Sequence, residues 1–166
     1  MMGCSSPPPA SSPVESFELR SHSIQFSPPK DFSRAFAKDP EDPKGKKIAA
    51  LIFDTASGQG HLGVNVIDEA KVTKIEKKTL EPFVDAIFKR NGKLTLQTEV
   101  DINGEKQNGY RIEFEYGQGD TEFKGVQVHF PNKGALYSIV MTTPAKEFDQ
   151  ALPAYNAIVT SFKIDK

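Results

Sequence analysis

The sequence predicts an α+β domain whose antiparallel sheet holds about six strands, and three observations carry that prediction. Between residues 93 and 143 the chain reads as three or four consecutive strands joined by short turns. Leu94, Leu96, Thr98, Val100 and Ile102 alternate there with Thr95, Gln97, Glu99 and Asp101, the period of two of a strand with one face buried. Residues 79–91 and 144–162 instead place apolar side chains at helical spacing. Finally, 166 residues make about one domain, long enough to bury roughly two-thirds of its unfolded surface in a core of its own.

Composition excludes several classes. A formal net charge of −1 argues against nucleic acid as a partner, which calls for a basic excess. No run of about 18 apolar residues is present to span a membrane as a helix. The single cysteine, Cys4, has no partner for an intramolecular disulfide.

Taken in order, residues 5–13 read SSPPPASSP, with neither charge nor large apolar side chains, and are expected to be a linker. Extended at about 3.1 Å per residue, such a linker reaches roughly 30 Å. Gly3-Cys4-Ser5-Ser6 ahead of it resembles the mature start of a bacterial lipoprotein, where the cysteine carries diacylglycerol. Cys4 is therefore the expected lipid-attachment residue, giving a membrane-anchored N-terminus and linker (1–14) followed by a single domain (15–166). Two alternatives stay open: an incidental thiol in a floppy terminus, or myristoylation of Gly3, whose motif wants Ser or Thr where Pro7 stands.

Residues 17–19 and 23–26 read as short strands ending at Pro28-Pro29. A helical turn is expected over 31–37, and a solvated loop over 38–47. Six uninterrupted apolar residues, 48–53, suit a strand covered on both faces, the candidate central strand. Gly58-Gln59-Gly60-His61-Leu62-Gly63 matches the G-x-G-x-x-G dinucleotide fingerprint, but Leu62, Val64 and Val66 continue as a strand where that site needs a helix N-terminus. A hairpin turn is the better reading. The lysine-rich 68–78 stretch reads as a wet connection. Thr79 then caps a helix with Leu80, Phe83, Val84, Ile87 and Phe88 on one stripe, Pro82 in its first turn, and Asn91-Gly92 as its stop.

In the meander, Asn103-Gly104 marks the first hairpin. The expected inward sets are the even-numbered residues of both flanking strands, with Tyr110, Ile112, Phe114 and Tyr116 on the second, then Val126, Val128 and Phe130, then Tyr137, Ile139 and Met141. Pairing even with even requires a three- or five-residue loop, or a bulge near Asn108-Gly109. The last helical pattern buries Phe148, Leu152, Tyr155, Ile158, Val159 and Phe162, with Pro153 either kinking it or opening a second helix; Ile164 closes the chain as a strand residue.

Chemistry is not spelled out. His22, His61 and His129 are scattered and lack a ligand at i+2 or i+4, so no metal or cofactor is expected. Arg111, Glu113 and Glu115 read as a charged solvent face rather than a catalytic pair, and His129 as an outward or wet-edge residue. No G-x-S-x-G elbow occurs, and Cys4 lacks a rigid setting, so no catalytic residue is assigned.

The C-terminal half resembles a known family. The N-G hairpin, Gly109-Tyr110-Arg111-Ile112-Glu113-Phe114-Glu115-Tyr116, the strand Leu136-Tyr137-Ser138-Ile139-Val140-Met141-Thr142-Thr143 and the closing Ile158-Val159-Thr160-Ser161-Phe162 together resemble the PsbP-like superfamily, over 15–166 and most specifically over 105–164. That group takes in photosystem extrinsic proteins, the periplasmic lipoprotein DcrB and the Ran-binding Mog proteins. The resemblance implies an antiparallel sheet sandwiched by helices, no catalytic activity, and a role as an accessory or assembly factor for a larger complex. Joined to Cys4, it implies a monomeric, lipid-anchored envelope protein with a protein partner. A Mog-like intracellular interaction module and a small-ligand-binding domain are the alternatives. Pro28-Pro29-Lys30-Asp31-Phe32 replaces a Trp-containing turn of relatives, and no photosystem-binding residue carries over.

Overall fold

The computed structural model describes residues 12–38, 48–102 and 105–165. Cys4, most of the Ser/Pro tract, the charged 39–47 stretch and the Asn103-Gly104 turn lie outside the described residues.

Ten strands and two helices are present among the described residues, more strands than the six expected. Strands β1 (Glu15–Leu19), β2 (His22–Phe26) and β10 (Lys163–Ile164) form a small sheet in the order β1-β2-β10, so Ile164 pairs with Ile24 as a closing strand residue. The main sheet holds β3 (Ser33–Lys38), β4 (Ile48–Asp54), β5 (His61–Val72), β6 (Lys93–Ile102), β7 (Glu105–Tyr116), β8 (Phe123–Asn132) and β9 (Gly134–Pro144). Its order is β3-β4-β5-β9-β8-β7-β6, antiparallel throughout. Helices α1 (Lys77–Phe88) and α2 (Ala145–Ser161) complete the fold.

Several expectations are corrected. Residues 31–37 are no helical turn, because Ser33–Lys38 pairs with β4 as an edge strand; short, small-residue segments take their structure from such pairing. The apolar β4 is second from an edge rather than central, and β9 holds the middle, with β5 on one side and β8 on the other. Strand β5 continues to Val72 through a register shift after Ile67, so the wet connection begins later than read. Helix α1 starts at Lys77 with Glu76 as its N-cap; Thr79 is the reciprocal residue of a capping box, and Pro82 lies in the second turn. Its stop is as expected: Asn91 is left-handed (φ 55°) and the Gly92 N–H returns to the Ile87 carbonyl at 3.0 Å. Helix α2 is a single helix with Pro153 inside it.

The meander's register is the larger correction. Ile112 pairs with Gln127 and Phe114 with Gly125, so the apolar residues of β7 and those of β8 point to opposite faces. Between β6 and β7 the register shifts twice, after Leu94 and after Val100, and the second shift lies beside Gly109. Between them Gln97 sits opposite Ile112, and Leu96 is left exposed.

Both faces are therefore packed. Val126, Val128, Phe130, Tyr137, Ile139 and Met141 share the main core with Phe148, Tyr155, Ile158 and Phe162 of α2 and with Ile24 and Phe26 of the small sheet. On the opposite face, Ile112, Phe114 and Leu136 pack with Ile75, Leu80 and Ile87 of α1 and the segment before it. The expected sandwich of a sheet between helices is what forms.

Candidate functional site

One open cleft of about 500 Å³ lies along α2, in the size range of a ligand site. Its floor is the small-residue face of the helix: Ala151, Ala154 and Ala157. One wall is Ser27, Pro28, Pro29 and Phe32, the chain leaving β2 for β3. The prolines cannot extend β2, and the wall is fixed to the helix because the Ser27 N–H donates to Ser161 Oγ at 2.8 Å. The Ser161-Phe162 pair of the closing motif thus has two separate structural jobs, as Phe162 enters the core.

The upper end of the cleft is the turn between β4 and β5, the G-x-G segment. Gly58 is left-handed (φ 71°) and donates its N–H to the Thr55 carbonyl at 2.9 Å, closing the hairpin turn that the sequence predicts. The Gly60 N–H donates to Thr55 Oγ1 (3.0 Å) and the Gln59 N–H to Ser57 Oγ (3.2 Å). Both hydroxyls in turn donate to Glu147 Oε2, at 3.2 and 3.0 Å. Glu147 stands third in α2, where a carboxylate ordinarily reaches back to the N-cap N–H. The N-cap here is Pro144, which has none, so the carboxylate turns to the hairpin instead. The Gly-rich motif therefore orders a carboxylate through two hydroxyls. Gly60 is required by this packing, since a Cβ there would lie 2.6 Å from Thr55 Cγ2.

A second polar group joins the two sheets. His22 Nε2 bonds Asp68, which the β5 register shift presents, and Arg20 Nη1 lies 3.7 Å from the same carboxylate. An ionised carboxylate only accepts, so Nε2 carries the proton and Nδ1 accepts from the Tyr137 hydroxyl, 2.6 Å away. Burial, with the nearby Asp68 charge, pushes the Tyr137 phenol up to about 12, and the side chain is almost wholly covered. The group ties β2 of the small sheet to β5 and β9 of the main one.

The other sequence candidates are not brought together. His61 pairs with Asp54 across the hairpin at 2.6 Å and is exposed. His129 is neither outward nor wet: α1 covers it, with the Phe83 ring 4.1 Å away, and its nitrogens meet Ser138 Oγ (2.7 Å) and Gln127 Oε1 (3.0 Å). Burial lowers its pKa to about 4. Arg111 and Glu113 are not on a solvent face either. They pair with each other at 2.8 Å under α2, the guanidinium 5.9 Å from the Tyr155 ring, while Glu115 pairs with Lys93 at the sheet edge. Among the described residues no group of three His, Cys, Asp or Glu side chains is placed to hold a metal, and no helix is long and apolar enough to cross a membrane. Thr55, Ser57 and Glu147 escaped the sequence reading; the signal available was Pro144 at a helix start three residues before a glutamate.

No family model and no curated protein matches the sequence. Solved structures do. Cyanobacterial PsbP (CyanoP) from Synechocystis sp. PCC 6803 superposes with a TM-score of 0.65 at 15% identity, covering 99% of this chain and 99% of that one. The fold is PsbP-like. LpqN of Mycobacterium tuberculosis gives a TM-score of 0.61 at 12% identity over 93% of this chain and 91% of its own, and PA94 of Pseudomonas aeruginosa 0.51 at 12% over 89% and 94%. At such identities the likeness extends to the fold and to no residue of function. The α2 packing, the Ser161 contact and the Glu147 network all rest on this chain's own contacts.

Proposed function

We propose that this PsbP-like domain is a non-enzymatic accessory or assembly factor of the cell envelope, held at a membrane through a lipid on Cys4 and binding a protein partner of a larger complex at the α2 cleft. The observation that carries the reading is the position of Ser12. It lines the cleft while standing near the end of the Ser/Pro tract, so the tract keeps the cleft within its own reach of whatever holds the N-terminus. A tract of this composition reaches roughly 30 Å at most, which keeps the cleft within one domain's breadth of the anchor. The fold shared with LpqN, a protein involved in cell envelope biogenesis, supports the same location.

Intact-mass and N-terminal peptide mass spectrometry on protein made from its complete native gene in its own host tests the anchor. Cys4 bearing diacylglycerol as the mature first residue is the expected result. An unmodified Cys4 behind an intact start methionine overturns it and redirects the search to soluble partners. Photo-crosslinking from position 30 on the cleft wall tests the accessory role, with one discrete envelope-protein adduct expected. Absence of any adduct in cells that express the protein normally counts against the role.

A further inference from the structure

We propose that the cleft takes about five extended residues of a partner polypeptide with one basic side chain, lysine or arginine, at the end that meets Glu147. This rests on the accessory-domain reading for the existence of a protein partner and adds the chemistry by which that partner is recognised.

Length comes first. From Glu147 to Ala157 the helix advances about 15 Å at 1.5 Å per residue, and extended chain covers that in four to five residues. The floor suits a backbone: Ala151, Ala154 and Ala157 carry only methyl groups, so a strand can lie close to the helix, and Pro28, Pro29 and Phe32 give an apolar wall beside it. The prolines lack the N–H groups that would call for polar partners. A large rigid apolar ligand would leave the upper end unused, because that end is ionic.

Charge selects the terminal side chain. Glu147 Oε2 accepts from the Thr55 and Ser57 hydroxyls, which also accept from backbone N–H groups and lie 3.2 Å from each other. Among the described residues Oε1 has no hydrogen-bond or ion-pair partner, and Glu147 lines the cleft. A carboxylate held in place by neutral donors beside an open apolar trough has its geometry set before a ligand arrives. It is built to receive an ammonium or guanidinium. Lys30 and Asp31, exposed at the facing wall, carry opposite signs and leave the Glu147 charge to decide. An anionic segment is excluded on the same ground.

The test is a ¹⁵N–¹H NMR titration of the domain with acetyl-Lys-Ala-Pro-Ala-Ala-amide and the reversed acetyl-Ala-Ala-Pro-Ala-Lys-amide, each beside its norleucine counterpart. One lysine peptide is expected to move the amides of Thr55, Ser57, Gln150 and Ala154, with its norleucine partner about tenfold weaker. Glu147→Gln should erase the difference between the two peptides, and Ala154→Leu, which fills the trough away from the carboxylate, should weaken both alike. The lysine–norleucine comparison on the unaltered protein needs neither variant to fold. Equal binding of lysine and norleucine peptides, shifts scattered outside the cleft, or no cleft shift at about 5 mM peptide overturns the proposal. Each result is independent of the state of Cys4, so the anchor and the cleft chemistry fail separately.

Discussion

The two faces of the main sheet are covered unequally. Beneath α2 and the small sheet the cover runs from Leu51 and Phe53 of β4 to Val126 and Val128 of β8, and the aromatic rings of Phe26, Phe130, Tyr137 and Phe162 meet one another at centroid distances between 5.3 and 6.1 Å. On the other face α1 packs over Ile112, Phe114 and Leu136, in the half of the sheet that ends at β6. The row running from Ala35 through Ile52 and Gly63 to Val140 has no residue in either buried cluster. Stability is therefore concentrated where two layers meet the sheet, and the uncovered row, with Ala35 and Gly63 in it, tolerates change. Small residues also bring little apolar area to bury, roughly 25 cal/mol per Å².

Four measurements test that contrast. Phe162→Ala, at the centre of the covered face, should lower unfolding free energy by about 4 kcal/mol in urea denaturation, with the slope unchanged. If the loss is under about 1 kcal/mol, the concentration of stability there is wrong.

Next comes acid, acting on the α1 side. His129 titrates near 4 when folded, against about 6.5 when unfolded, so between those values the unfolded state binds the extra proton. Its contribution is complete above pH 6.5 and is lost as pH falls toward 4, by about 3 kcal/mol. His129→Gln, compared with the unaltered protein from pH 7 to pH 4, should flatten the decline by that amount; parallel curves would mean the ring is not buried neutral.

Gly60→Ala tests the hairpin that holds Glu147. The crowding of a methyl group against Thr55 should cost about 2 kcal/mol, read as a lowered thermal midpoint, and should shift the Thr55 and Ser57 amides in an NMR spectrum. The smallest effect belongs to the bare half. Ile67, 46% exposed, should accept serine within about 0.5 kcal/mol, and a larger loss would show that something covers it.

Much of this fold was legible because local pattern decides it. The strands at 17–19 and 23–26, the turn at Gly58, the stop at Asn91-Gly92 and both helices follow from residues within a few positions of one another. What could not be read was which face each strand shows its neighbour. Alternation assigns Ile112 and Phe114 to one side of their own strand and Val126 and Val128 to one side of theirs, but the connection through Gly117 and the short helical turn at Gly119–Thr121 sets the two in opposition. A sheet buried on both faces makes both assignments satisfactory, so no polar residue was left to object. Even Arg111 and Glu113, which looked like a wet face, find each other and Tyr155 under α2. The edge strand β3 was missed for the converse reason, as its alternation of Arg34 and Phe36 with alanines becomes a strand only beside β4. At the cleft, the Gly-rich motif was visible, and so was the hairpin turn it makes. Its link to Glu147 was not, since it depends on contact between residues about 90 positions apart.

The position of β9 has a consequence for how the chain reaches this structure. Strands β3, β4 and β5 pair with their neighbours in sequence, and so do β6, β7, β8 and β9, but the two groups meet only where β5 joins β9, whose partners lie roughly 60–80 residues apart. Closing a loop of that length comes with an entropic cost that local hairpins avoid, so the two meanders are expected to acquire their hydrogen bonds before the seam does. Pulse-labelled hydrogen exchange during refolding would then find amides between β7 and β8 protected ahead of those between β5 and β9. The strand at the geometric centre of the finished sheet would be the last to gain its second neighbour.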